Sequence, residues 1–200
     1  MNSFYSQEEL KEIGFRHIGS DVFVSRKSSI YGAENISIKN HVRIDDFCIL
    51  SGKITIGDYV HISAFAAIHG DTVGVEIEDF CTVSGRVSLY AVSDNYSGEY
   101  LMNSVIPEKY RGVKKGKIIL KKYSALGAGC VVLPGITLGE GSVAGAMSLI
   151  VNDLKPWMIY AGIPCRELKA RSKQLLKLEE LFVCNERENI QMTKQLSKES

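Results

Sequence analysis

Aliphatic residues recur at every sixth position along most of this chain. The series runs Ile18, Val24, Ile30, then Ile38, Ile44, Leu50, Ile56, Ile62, Ile68, then Ile77, Val83, Leu89, and again Leu120, Leu126, Val132, Leu138, Ala144, Ile150. Four residues after a marker stands a small or aliphatic residue: Val22, Ser28, Val42, Cys48, Ile54, Val60, Ala66, Cys81, Val87, Ser93, Ser124, Cys130, Ile136, Ser142, Ser148. A period of six fits neither the 3.6-residue turn of an α-helix nor the two-residue alternation of a strand. It fits short strands joined by sharp corners, each hexad forming one side of a triangular coil with two residues pointing inward. An ordinary all-β sandwich would not keep one spacing through so many units.

Three hexads per coil make about six coils of an all-β, parallel β-helix. The spacing is broken between Ile30 and Ile38, between Ile68 and Ile77, and between Leu89 and Leu120. Each break follows the third hexad of a coil, so every insertion leaves from one edge of the prism. The longest, 95–117, is a protruding arm. Stacked coils lie ~4.8 Å apart, and each inward aliphatic contributes about 1.5–3 kcal/mol when fully buried. A coil is therefore stable only on its neighbours.

The ends of such a stack need covers. Ser6-Gln-Glu-Glu9 is a capping-box pattern that opens a short helix before Gly14, placed to close the first coil. After Pro164, residues 166–182 carry Leu168, Leu175, Leu176, Leu178 and Leu181 among many charges, the pattern of an amphipathic helix. Beyond Cys184 the sequence is polar and expected to fray. The expected organisation is a cap over 1–14, the β-helix over 15–163 with its arm, and a helix with a polar tail over 164–200.

Composition narrows the function classes. Of 200 residues, 45% are hydrophobic and 24% charged, which suits one globular domain with a sizeable core. A formal charge of +1 offers no basic face for nucleic acid or an anionic membrane. No apolar run approaches the ~18 residues of a membrane span, and the N-terminus lacks a basic-then-apolar leader. Five cysteines is an odd number, and Cys48, Cys81 and Cys130 fall on inward positions, where they are packing atoms rather than nucleophiles. Free thiols point to a cytoplasmic location.

The segment Leu126-Gly-Ala-Gly-Cys-Val-Val-Leu-Pro-Gly-Ile-Thr-Leu-Gly-Glu-Gly141 resembles the signature of the hexapeptide-repeat acyltransferases. Ala161-Gly-Ile-Pro-Cys-Arg-Glu-Leu-Lys169 resembles the segment that closes their β-helix. The branch it is most similar to is that of the maltose and galactoside O-acetyltransferases, with sugar-nucleotide N-acetyltransferases nearby. The resemblance implies a left-handed helix, where parallel crossovers are ordinarily right-handed. It also implies a homotrimer, acetyl-CoA lying between subunits as acyl donor with no metal, and a sugar, sugar nucleotide or glycan precursor as acceptor. Matched position by position, Gly127, Ala128, Gly145 and Ala146 line the pantetheine arm, the two glycines allowing close approach of a ligand chain. Arg166 and Lys169 match basic residues that hold the CoA phosphates, with Arg171 nearby. The position after Val151, usually basic in this branch, is Asn152.

The catalytic position departs from the branch. A histidine normally ends the hexad before the arm, whereas here that hexad is Leu89-Tyr-Ala-Val-Ser-Asp94. A base with pKa near 7 is best suited to take the acceptor's proton, and a free carboxylate, near 3.9, is a poor one. Three accounts are open: Asp94 acts alone on an amine, Asp94 orients a histidine, or the site is inactive. His69, which leaves the same prism edge one coil earlier in the loop His69-Gly-Asp-Thr-Val-Gly74, is the candidate partner. His61 ranks behind it. Tyr96, Tyr100 and Tyr110 either shape a sugar pocket or dock the arm. Lys114, Lys115 and Lys117 face either a nucleotide diphosphate or water. Two rival readings are a non-catalytic scaffold and a zinc-dependent carbonic anhydrase, although zinc would need converging histidines and His61 and His69 are eight apart.

Overall fold

The computed structural model describes residues 3–184, and the chain divides into two compact units, Met1–Ala170 and Arg171–Ser200. The first unit is a left-handed parallel β-helix whose three faces are stacked strands of two or three residues, lengthening where a strand runs through a corner. On the first face Ile18, Ile38, Ile56, Ile77, Leu120 and Leu138 lie in parallel register. The second stacks Val24, Ile44, Ile62, Val83, Leu126 and Ala144. The third stacks Ile30, Leu50, Ile68, Leu89, Val132 and Ile150. Apart from Ile18 and Ile30 in the first coil, all these markers are buried. The core is a single column down the axis of the prism.

The stack runs past the last hexad. Leu154 bridges to Leu138 and Tyr160 pairs with Ala144, a partial seventh coil. Its edge is covered by a strand, Cys165–Ala170, antiparallel to Met158–Gly162. The expected helix over 166–182 is therefore corrected in its first part, because residues 166–170 pair with the open edge instead. An uncovered edge presents a row of unpaired backbone groups, and satisfying those outweighs a helical spacing that Leu168, left exposed, does little to enforce. Helix begins at 174 and continues to the last described residue, in the second unit. The tail expected to fray lies outside the described residues.

At the other end the capping box forms. Ser6 accepts the Glu9 N–H, and the Glu9 carboxylate accepts the Ser6 N–H, at the start of helix Gln7–Glu12. Leu10 is driven into the first coil and Gln7 donates to the Val22 carbonyl at 2.9 Å.

Most of the corners repeat as well. Three residues after a marker the backbone turns through left-handed φ, at His41, Phe47, Tyr59, Phe65, Phe80, Arg86, Tyr123 and Met147 among others. Such a conformation is uncommon for residues other than glycine, and stacking offsets it: His41, Tyr59, Phe80 and Tyr123 form a ring ladder at 4.5, 4.9 and 5.8 Å, and Phe47 stacks on Phe65 at 5.0 Å. Two inward assignments are corrected: Ser28, in the first coil, is half-buried. Ser93 is also only half-buried, because the chain leaves the coil at Ala91, which takes the interior position.

Candidate active site

The cleft at the root of the arm is built where the repeat is interrupted. Leaving Ala91, Val92–Ser93 pair antiparallel with Lys114–Lys115, making a two-stranded neck. The Gly116 N–H then returns to the Ala91 carbonyl at 2.9 Å, and the first face resumes at Ile118. An insertion of any length fits here, because both its ends lie one hydrogen bond apart. Beside the neck opens a cleft of about 620 Å³ lined by Ser93, Asp94, Tyr96, Lys114, Leu133 and Val151, among others. One wall is thus the apolar outer surface of the third face, and the other is the polar arm root.

Asp94 is the pivot of the arm. Its Oδ2 accepts the Asn103 N–H at 3.1 Å, from the outgoing limb, and its Oδ1 accepts from Arg111 Nη2 at 3.3 Å, from the returning limb. The two limbs also meet directly, with Leu101 bridged to Arg111. Gly112 makes this possible: a Cβ there would overlap the Tyr100 ring. The side chains of Asp94 and Arg111 are 27% and 20% exposed, so the carboxylate is partly withdrawn from water while keeping an edge on the cleft.

His69 does not join this network. Its ring stacks on Tyr90, centroids 5.2 Å apart and nearly coplanar in orientation at 4°. The hydrogen bonds to the Asp94 carboxylate come from Asn103 and Arg111, and His69 is not among them. Burial pushes the imidazole below its ordinary value of 6.5, which keeps it neutral at pH 7. The segment that carries it is no free loop. Ala67–Ile77 is one strand through the corner, and Gly70 lies so close to the Lys53 carbonyl that a Cβ would clash. His61, on the second face, is bound to Asp45 at 2.8 Å, which Arg43 also contacts at 2.7 Å.

The three arm lysines separate. Lys115 reaches Asp71 at 3.6 Å and Glu108 at 3.9 Å, and Lys117 is paired with Glu76. Lys114 lines the cleft with Asp94 and has no ion pair among the described residues. Of the tyrosines, Tyr96 lines the cleft, Tyr100 lies on Gly112, and Tyr110 stands under Lys109, 4.8 Å from its ring centre.

The positions matched to CoA lie on the second face and the corner after it. Ala128 and Ala146 are exposed and one coil apart, joined by a bond from Met147 N–H to the Ala128 carbonyl at 2.8 Å. Gly127 has a structural reason of its own: a Cβ there would come within 2.5 Å of the Ala146 nitrogen in the next coil. Gly145 is looser, its nearest neighbour being Ala161 Cβ at 3.3 Å. Arg166 and Lys169 are exposed on the closing strand, without an ion pair among the described residues, while Glu167 between them is held by Lys155 at 3.0 Å.

No family model matches the chain. A curated dTDP-4-amino-4,6-dideoxy-D-glucose acyltransferase of Escherichia coli is 41% identical over 183 residues, 90% of this chain and 95% of that protein. The solved structure of AntD, an N-acyltransferase from Bacillus cereus in complex with dTDP and 3-hydroxybutyryl-CoA, is 50% identical with a TM-score of 0.92, over 94% of this chain and 100% of its own. That protein has also been solved as its S84A variant with dTDP-4-amino-4,6-dideoxyglucose and Coenzyme A, and as its D94N variant with dTDP and Coenzyme A. A hexapeptide-repeat acetyltransferase from Vibrio cholerae, complexed with acetyl coenzyme A, is 20% identical with a TM-score of 0.58, over 84% of this chain and 77% of that one, a likeness of fold alone.

Serine and aspartate stand at 84 and 94 in this chain too, and Ser84 is a residue that pattern reading passes over. It follows the marker Val83, in the outward column that also holds Asp45, Ser63, Gly127 and Gly145, and its N–H donates to the Leu126 carbonyl at 3.0 Å. The available signal is the change along that column from carboxylate and hydroxyl to glycine. A serine at a β-helix corner is too common to draw notice by itself.

Proposed function

This chain belongs to the hexapeptide-repeat sugar acyltransferases, and we propose that it acylates the amine of a nucleotide-linked 4-amino-deoxy sugar. It is an enzyme that takes its acyl group from a coenzyme A thioester and passes it to a sugar. The scaffold and carbonic-anhydrase readings are set aside on that ground. Assignment to the maltose and galactoside branch gains nothing from these likenesses, whose named sugar is a dTDP-linked amino sugar.

The observation that carries the proposal is a carboxylate, not an imidazole, at the arm root. An amine that arrives neutral attacks through its own lone pair, so no base has to ionise it first, whereas a hydroxyl needs one. The nitrogen bonds to the thioester carbonyl carbon and the C=O pair moves onto oxygen. As that pair returns, the C–S bond breaks and its electrons leave with sulfur. The proton released by nitrogen passes to Asp94 and from Asp94 to the departing thiolate, giving amide and free CoA thiol with the carboxylate restored. Asp94 suits this lighter task, and its bonds to Asn103 and Arg111, one on each oxygen, hold its orientation. Ser84 is assigned to the same site on the strength of its column with Gly127 and Gly145.

Lys114, a cation of the cleft with no ion pair among the described residues, is assigned to the acceptor's diphosphate, and the apolar wall of Leu133 and Val151 to its deoxygenated edge. Gly127, Ala128, Gly145 and Ala146 are assigned to pantetheine, and Arg166 and Lys169 to the CoA phosphates. A homotrimer is proposed from the same family likeness. The exposed Phe47, Phe65 and Met147, in the corner column that follows the second face, are the kind of surface a neighbouring subunit covers. A cytoplasmic site of action accords with unpaired cysteines. No helix among the described residues is long and apolar enough to cross a membrane.

The test offers acetyl-CoA with dTDP-4-amino-4,6-dideoxyglucose or with its 4-hydroxy counterpart. Thiol release and an acetyl mass increment are expected with the amine alone. Acylation of the hydroxyl compound at an equal rate would overturn the reading.

A further inference from the structure

We infer that Arg111 is a positioning residue for the reaction, holding the Asp94 carboxylate at the angle from which it meets the acceptor amine. The inference rests on the reading of Asp94 given above. A carboxylate offers about four lone-pair sites, and the arm occupies one on each oxygen, through the Asn103 N–H and Arg111 Nη2. The Asn103 bond comes from backbone and sets only one direction. The guanidinium sets the second, and two fixed directions leave the remaining lone pairs aimed at the cleft. Both groups carry charge, so even this single 3.3 Å contact favours one orientation of the carboxylate.

Arg111 is held in a costly place for a surface arm. Its side chain is four-fifths covered, and its Nε is enclosed without a hydrogen-bond partner among the described residues. An unsatisfied buried donor in a native structure calls for a reason, and a guanidinium serving only to brace the arm would be as well placed in water. Backbone geometry keeps it there. The Arg111 N–H bonds the Glu108 carbonyl at 2.9 Å, Leu101 is bridged to it, and Tyr100 lies on Gly112 just after it. Arm closure and the aim of Asp94 are in this way one event, because the same residue closes the returning limb and orients the carboxylate.

The test compares Arg111→Ala, Arg111→Lys and Asp94→Asn, singly and as the double variant Asp94→Asn with Arg111→Ala, using acetyl-CoA and the amino sugar nucleotide. Misplacement of a reacting group by about an ångström costs on the order of 10²-fold. Arg111→Ala is expected to lower kcat about 10- to 100-fold while KM for acetyl-CoA stays within about twofold. Arg111→Lys, which keeps a cation but not the fork, should recover part of the loss, as should added guanidinium in Arg111→Ala. In the Asp94→Asn background, removing Arg111 should change the rate less than about twofold, since residues acting as a unit are non-additive. An arm brace unrelated to Asp94 would instead multiply the two losses and respond to neither rescue, and that result would overturn the inference. Full activity in Arg111→Ala overturns it as well. Full activity in Asp94→Asn defeats the underlying reading, a different outcome from a crippled Asp94→Asn beside an active Arg111→Ala.

Discussion

In the coil stack every strand pairs with the strand one coil away, and the inward side chains are sealed inside the prism. Residues 95–113 of the arm have no such neighbours: Tyr96 and Val105 are 80% and 85% exposed, and the limbs are joined through Asp94, one bridge and a few turns. The stack derives its stability from repetition, because each coil closes the next. The arm derives its shape from a handful of single contacts, and a segment held in that way can be tuned without disturbing the core. Chemistry is placed at the join, where Gly116 returns to Ala91 and one side chain gathers the loose limbs. This is the division between rigid scaffold and functional loop seen in many folds.

The division can be broken most severely by excision. Replacing 95–113 with a short glycine linker between Asp94 and Lys114 should abolish acyl transfer and leave the thermal transition of the β-helix nearly in place. Collapse of the fold would show that the arm is structural. On the other side, Ile62→Asp puts a carboxylate into a position of zero exposure between Ile44 and Val83. Burial of an unpaired charge costs several kcal/mol, so chemical denaturation should show a large loss of stability. An unchanged midpoint would mean the register is wrong.

A middling effect is expected at the closing strand. Arg166→Ala together with Lys169→Ala should weaken CoA binding by about 1–3 kcal/mol, less so in high salt where exposed charges are screened. Calorimetry at low salt with no change in affinity would remove both residues from the donor site. The smallest effect belongs to His69. Stacked on Tyr90 and apart from Asp94, it should tolerate His69→Ala with turnover changed less than about threefold, against the 10²–10⁴ typical of an acid–base residue. Its folded imidazole titrates below the ordinary 6.5, so the unfolded chain binds the proton more readily. Its contribution to stability is therefore present above pH 6.5 and lost as pH falls through that value to the folded one. His69→Gln should flatten that slope in urea titrations at pH 5 to 7.

Legibility in the sequence follows the same line. The hexad markers read off the chain are the residues that pair in register on all three faces, because an interior that must be filled every six residues leaves a repeating imprint. The breaks in the spacing equally show that insertions leave from one edge and that Asp94 stands at the root of the longest. Pattern could not give the partners of Asp94. Asn103 contributes a backbone N–H, which carries no residue signal, and Arg111 is one of several cations in an irregular segment. Nor could it give the strand Cys165–Ala170, whose leucine mimics a helical spacing while the pull comes from an open edge several residues back. The closeness of His69 to Asp94 in the hexad scheme was a matter of edge and coil, and the stacking with Tyr90 turns on ring orientation, which spacing does not encode.

The most direct test of the account is the rate of amide formation by Asp94→Asn with acetyl-CoA and dTDP-4-amino-4,6-dideoxyglucose, followed by mass spectrometry with CoA affinity measured on the same preparation. The account predicts a rate lower by about 10²–10⁴ with CoA binding intact, since the asparagine amide keeps the size of the side chain and loses its capacity to take a proton. Wild-type turnover in that variant would contradict it and remove Asp94 from the chemistry.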